Sequence, residues 1–102
     1  MKVLVTGGGG FVGQAVCRQL AARGDTPVAF QRGAAEALDG TGIEVRRGDI
    51  TIREEVLAAL ADCDAVIHTA GKAGAWGDPD SYRAINVIGT EHVIDCCRRE
   101  GI

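Results

Sequence analysis

The sequence predicts an α/β fold, a parallel sheet with helices on both faces, and three observations carry that prediction. Short apolar runs alternate along the chain with segments whose apolar residues recur at helical spacing. The first of those runs shows no polar alternation, as in a strand buried on both sides. A cluster of glycines stands directly between that run and the first helical segment. With 102 residues, 46% of them apolar and 25% charged, the chain has the composition of one ordered globular domain.

The elements follow in order. Lys2-Val3-Leu4-Val5-Thr6 is the first strand. After Gly7 to Gly10, residues Phe11, Val12, Ala15, Val16 and Leu20 supply the expected apolar face of the first helix. It should stop at Arg23-Gly24, a cation followed by a glycine. Thr26-Pro27-Val28-Ala29-Phe30 reads as a second strand, with Pro27 tolerated at its beginning. Gly33 to Gly42 is small and polar, with one helical turn expected around Ala34 to Leu38. Ile43-Glu44-Val45-Arg46 is a third strand. Thr51-Ile52-Arg53-Glu54 has the form of a capping box, which predicts a helix with Ile52, Val56, Ala59 and Leu60 on one face. Asp64 to His68 is a fourth strand, and a loop through Gly71, Gly74, Gly77 and Pro79 leads to a long helix from about Asp80 to Arg99, closed by Gly101. Strands separated by helices imply right-handed crossovers and parallel pairing.

Composition excludes several functions. Eleven Lys and Arg against 14 Asp and Glu give a net charge of −3, which argues against a nucleic acid or an anionic membrane as partner. No apolar run is long enough to span a bilayer, and the N-terminus turns to glycine too early for a secretory segment. The four cysteines, Cys17, Cys63, Cys96 and Cys97, make no C-x-x-C pair; free thiols in a reducing cytoplasm are expected.

The strongest local signal is Thr6-Gly7-Gly8-Gly9-Gly10-Phe11-Val12-Gly13. Glycines at 7, 10 and 13 give a G-x-x-G-x-x-G spacing between a strand and a helix. Gly7 supplies the tight turn, Gly10 lets the backbone approach a diphosphate, and Gly13 lets the helix pack close to the strand. The helix N-terminus, at Phe11 and Val12, offers free amides and a partial positive charge to an anion. Each such electrostatic contribution is only ~0.3–1 kcal/mol, so several must act together.

These residues resemble the fingerprint of the extended short-chain dehydrogenases/reductases, a family that includes nucleotide-sugar epimerases and dehydratases and 3β-hydroxysteroid-dehydrogenase-like enzymes. Further matches follow in order: Gly48-Asp49-Ile50-Thr51, Val66-Ile67-His68-Thr69-Ala70-Gly71, and Asn86-Val87-Ile88-Gly89-Thr90. The run His68 to Gly77 is most similar to the 3β-hydroxysteroid-dehydrogenase-like branch. The resemblance covers essentially all 102 residues. It implies a Rossmann-type doubly wound sheet with strands in the order 3-2-1-4, truncated before the fifth strand, so that residues 1–102 are the N-terminal part of a dinucleotide-binding domain. It also implies that Asp49 receives the adenine, that Ala70 and Gly71 lie along the cofactor ribose, and that Asn86 supports the active site through the helix backbone and a water.

The cofactor preference is read at the end of the second strand. An acidic residue about 20 positions after the glycines would bind an NAD ribose. Gln31 stands there instead, followed by Arg32, whose guanidinium suits a 2′-phosphate; NADP is therefore expected, with NAD as the second choice. Thr51 and Glu54 cap the following helix in this reading, which leaves Asp49 for the adenine amine. His68, flanked by apolar residues, reads as a structural histidine whose tautomer a backbone group sets. The candidate cofactor-binding residues are thus Gly7, Gly10, Phe11, Val12, Gly13, Arg32, Asp49, Ile50, Thr69, Ala70, Gly71 and Asn86, with no catalytic and no metal-ligating residue among the 102.

The family's catalysis resembles a proton relay from a tyrosine tuned by a lysine four residues on. The only tyrosine is Tyr82, followed at that distance by Asn86, and the only lysines are Lys2 and Lys72. The expectation is therefore a larger NADP(H)-dependent oxidoreductase acting on a secondary alcohol or ketone, whose catalytic and substrate-binding part lies outside these residues. The alternatives are a nucleotide-sugar epimerase or dehydratase using NAD, and a dinucleotide-sensing module without chemistry. The apolar edge of the fourth strand would invite pairing with a second copy, a homo-oligomer.

Overall fold

The computed structural model describes residues 1–71 and 77–102. Its sheet has the order β3-β2-β1-β4, with β1 (Lys2–Thr6), β2 (Thr26–Gln31), β3 (Glu44–Arg47) and β4 (Ala65–His68) all parallel. Thr6 stands level with Phe30 on one side and His68 on the other. The C-terminal ends of β1, β2 and β4 therefore lie side by side, where the glycine motif leaves the sheet. Pro27 sits opposite Val3, one residue before β2 begins to pair with β3 at Val28 and Glu44, so its missing N–H removes no bond of that ladder.

Two apolar layers explain why the central strands lack alternation. Val3, Val5 and Ala29 face Cys17 and Leu20 of α1 (Phe11–Ala22), with Leu38 from a 3-10 turn over Glu36–Leu38. Leu4, Val28 and Phe30 face the other way, onto Val56 and Ala59 of α2 (Arg53–Ala59) and Val93 and Cys96 of the C-terminal helix. A strand covered twice must be apolar at every position. Each such side chain contributes roughly 1.5–3 kcal/mol on burial.

Three local expectations need correction. The buried face of α1 is Gly13, Cys17 and Leu20, whereas Phe11, Val12 and Ala15 are exposed and Val16 is half-buried. The glycine decides this phase: Gly13 brings the helix axis so close to the Gly7 carbonyl that the side chains before it swing outward. The capping box is absent. Ile52 occupies the cap of α2 with no side-chain hydrogen bond, because the Thr51 hydroxyl donates to the Asp49 carboxylate (2.7 Å) and Glu55, not Glu54, accepts from a backbone amide, that of Asp49 (3.1 Å). The Asp49 carboxylate, two residues upstream, is a charged acceptor that holds the Thr51 hydroxyl turned toward it, and the oxygen is not placed to accept from the Glu54 amide as a capping box needs. The long helix is interrupted. It opens as α3 (Pro79–Arg83), capped by the Asp78 side chain, widens into a π-turn over Ala84–Ile88, and continues as α4 (Gly89–Glu100) to Gly101 in the left-handed conformation. Lys72, Ala73, Gly74, Ala75 and Trp76, which carry most of the branch-level likeness, lie outside the described residues.

Candidate functional site

The chain leaves β1 through a turn that only glycine fits. Gly7 has φ +68, its amide donates to the Phe30 carbonyl (2.7 Å), and its carbonyl accepts from the Gly10 amide (2.9 Å). A Cβ on Gly7 would stand 2.9 Å from the Ala70 backbone, and one on Gly13 only 2.0 Å from the Gly7 oxygen. Gly10 is different. Its backbone is extended (φ −78, ψ 178), and a Cβ there would meet only the Gly7 oxygen, at 3.3 Å. Gly7 and Gly13 thus hold the turn together, while Gly10 leaves space beside it.

That space is a cleft of about 280 Å³ at the C-terminal ends of β1, β2 and β4. Gly7 and Gly10 form its floor, Thr69, Ala70 and Gly71 one wall, and Arg32, Asp49 and Ile50 the other. The remaining candidates lie around it. Phe11 and Val12 start α1 with side chains in solvent, Phe11 being 91% exposed, so only their amides can serve a ligand. No side chain caps α1 and no acid lies in its first turn, which leaves those amides to an outside acceptor. Gly13 is buried behind Gly7, and Asn86 stands beside the cleft, its Oδ1 3.3 Å from where a Cβ on Gly71 would be. The sequence-derived set omits Phe30, Gln31, Gly48 and Ile85, which also line the cleft. Gln31 has a signal in its place at the strand end; Ile85, one residue from Asn86, has none beyond that adjacency.

Asp49 is a fixed anion. Its Oδ1 accepts from the Thr51 amide (2.9 Å) and hydroxyl (2.7 Å), and chiefly these bonds hold its carboxyl below the usual range. Its Oδ2 lies 3.9 Å from the Arg32 guanidinium, which is mostly exposed. The second strand end thus carries no acid at position 31, yet a carboxylate does face Arg32 from the segment after β3. A pair this open to solvent is weak.

His68 lies behind the cleft wall and is tied at both nitrogens by hydroxyls, not by a backbone group as the sequence suggests. Nδ1 is 2.6 Å from Thr6 Oγ1 and Nε2 is 3.0 Å from Thr90 Oγ1. Burial lowers its pKa from the ordinary 6.5. The Asn86 carbonyl, inside the π-turn, accepts from the Thr90 hydroxyl at 2.8 Å.

Comparison with known proteins fits this geometry. The sequence profile of the NAD dependent epimerase/dehydratase family matches residues 3–102. A 2-alkyl-3-oxoalkanoate reductase of Stenotrophomonas maltophilia is 53% identical over 102 residues, 100% of this chain and 31% of the relative. A 3 beta-hydroxysteroid dehydrogenase/Delta 5-->4-isomerase of Mycobacterium tuberculosis is 36% identical, over 99% of this chain and 29% of its own length. Among solved structures, the UDP-glucose 4-epimerase of Thermus thermophilus in complex with NAD superposes with a TM-score of 0.89 at 30% identity, covering 100% of this chain and 35% of that one. The chain thus spans about a third of the length of these relatives.

Proposed function

The chain belongs to the NAD dependent epimerase/dehydratase family, and we propose that it forms the dinucleotide-binding part of an oxidoreductase that moves a hydride between NADP(H) and a secondary alcohol or ketone. The observation that carries this reading is the floor of the cleft, where the uncapped first turn of α1 meets the open side of Gly10. Main-chain amides there can take a diphosphate without displacing any side chain. The residues around it fit the rest of such a ligand. Asp49, held ionised, can accept from an adenine amine, and Gln31 and Arg32 stand at the end of β2. The amide of Gln31 leaves no charge at that position to repel a 2′-phosphate, and Arg32 supplies a cation, part of whose attraction Asp49 offsets. When bound, the nicotinamide would give or take the hydride. No Tyr-x-x-x-Lys occurs in the 102 residues, so the acid–base step is assigned to none of them.

The relative named a 2-alkyl-3-oxoalkanoate reductase, at 53% identity, favours the ketone of a 3-oxo acid as substrate. A second reading, a nucleotide-sugar epimerase retaining NAD, is favoured by the likeness to the NAD-bound epimerase and by the Arg32–Asp49 approach. The test is to give the intact protein NADPH or NADH with a 2-alkyl-3-oxoalkanoate, and separately NAD with a UDP-sugar, and follow nicotinamide absorbance and the sugar products. Oxidation of NADPH supports the first reading. Interconversion of UDP-sugars with no net change in the nicotinamide supports the second and overturns the first.

A further inference from the structure

Beneath the cleft runs a hydrogen-bond chain whose direction the structure fixes at both ends. Thr6, fully buried, accepts at Oγ1 from the Thr69 amide (3.1 Å) and the Ala70 amide (3.2 Å). With both lone pairs engaged, its hydroxyl hydrogen is left for His68 Nδ1 at 2.6 Å. At the far end, the Thr90 hydroxyl donates to the Asn86 carbonyl (2.8 Å), a group that can only accept. Thr90 Oγ1 must then accept from His68 Nε2–H at 3.0 Å. The imidazole is thereby fixed as the neutral Nε2–H tautomer. One uninterrupted series of donors leads from the Thr69 and Ala70 amides, through Thr6, His68 and Thr90, to the carbonyl of Asn86. Reversing it would leave Thr90 one hydrogen for two acceptors, His68 Nε2 and the Asn86 carbonyl, and the Thr6 oxygen overfilled. Bonds in such a series polarise one another.

What lies at the two ends gives the series a purpose. Thr69 and Ala70 are a wall of the cleft, and Asn86 belongs to the π-turn that also presents Ile85 to it. π-turns inside α-helices recur at functional sites. We propose that His68 is a positioning residue that couples these two segments, holding the β4 end and the neighbouring π-turn at a fixed separation along one side of the bound dinucleotide. This rests on the reading of the cleft as a dinucleotide site. His68 itself does not line the cleft, so its influence passes through Thr6 and Thr90.

The experiment uses the intact protein with His68 labelled at both ring nitrogens, titrated with NADPH and, in parallel, NADH. Magnetic resonance of the ring nitrogens should show a single protonated nitrogen, Nε2, at neutral pH, and its proton resonance should move on saturation with the dinucleotide. Thr90→Val, which removes a hydroxyl outside the cleft, should weaken binding about three- to tenfold, the range for one neutral hydrogen bond. His68→Asn keeps an acceptor near the Nδ1 position but no donor to Thr90. Adding Thr90→Val to it should therefore cost nothing more, a non-additivity that independent structural losses would not produce. An Nδ1–H tautomer, or a His68 resonance unmoved in a protein that binds, overturns the coupling alone. Failure of the wild-type protein to bind either dinucleotide overturns both this proposal and the site reading beneath it.

Discussion

Gly10→Ala separates binding from folding. At φ −78 and ψ 178 the backbone is one that alanine adopts freely, and the new methyl would meet only the Gly7 oxygen, at 3.3 Å. That contact requires a few tenths of an ångström of adjustment, while the alanine narrows the unfolded ensemble by ~0.4–1 kcal/mol. The net change in stability should thus be under about 1 kcal/mol. The methyl stands where a diphosphate would approach the Phe11 and Val12 amides. Losing one hydrogen bond to a charged oxygen costs ~1.5–3 kcal/mol, an affinity loss of roughly 10- to 150-fold. The assay pairs a thermal melt with titration of NADPH. Gly13→Ala is the contrast, since its methyl would fall 2.0 Å from the Gly7 oxygen. That overlap should destabilise the fold by ~1–3 kcal/mol or more, whether or not ligand is present. A Gly10→Ala protein that melts like the wild type and binds NADPH within about twofold of it would refute the assignment of this turn to a diphosphate, given the loss expected from one charged hydrogen bond.

Further outcomes follow from the same structure. Arg32→Ala should weaken NADPH more than NADH, by ~1.5–3 kcal/mol less whatever Asp49 already withdraws, and equal losses for the two cofactors in parallel titrations would remove the NADP preference. His68 is half-buried and neutral, with a pKa lowered by burial, so its share of stability is complete above pH 6.5 and is lost as pH falls from 6.5 toward its folded value. In denaturant titrations the wild type should weaken across that window with a slope of at most about 1.4 kcal/mol per pH unit, and His68→Gln should lack the slope. Leu4→Ala, at a fully buried position between β2 and α2, should cost ~2–5 kcal/mol in the same titrations; a loss under about 1 kcal/mol would contradict the packing.

The parts legible in the sequence are those that depend on neighbours in the chain. Val3-Leu4-Val5 announces a doubly covered strand, and the glycines between it and α1 announce the turn, because both signals are local. The order β3-β2-β1-β4 is legible only through the ordered motifs, since periodicity alone does not say which strands adjoin. The phase of α1 escapes the pattern because helical spacing finds a face without saying what presses on it; Gly13, invisible as an apolar residue, decides it. The missing capping box has a similar cause. Thr51 can donate to Asp49 or accept from the helix that follows, and the local pattern does not rank Asp49 first. The approach of Asp49 to Arg32, the π-turn, and the placement of His68 between Thr6 and Thr90 depend on segments far apart in sequence, which no local pattern records.

The contact of Gly13 with the Gly7 oxygen constrains how such a protein can change over evolutionary time. A strand and a helix that touch through bare main chain have no side chains between them to trade, so no sequence of small repackings leads away from the arrangement. The tips of β2 and β3 carry no such main-chain contact, and the exposed Arg32 there can be exchanged without touching the turn. On the proposed reading, descendants of this scaffold can switch coenzyme while the glycine turn stays frozen.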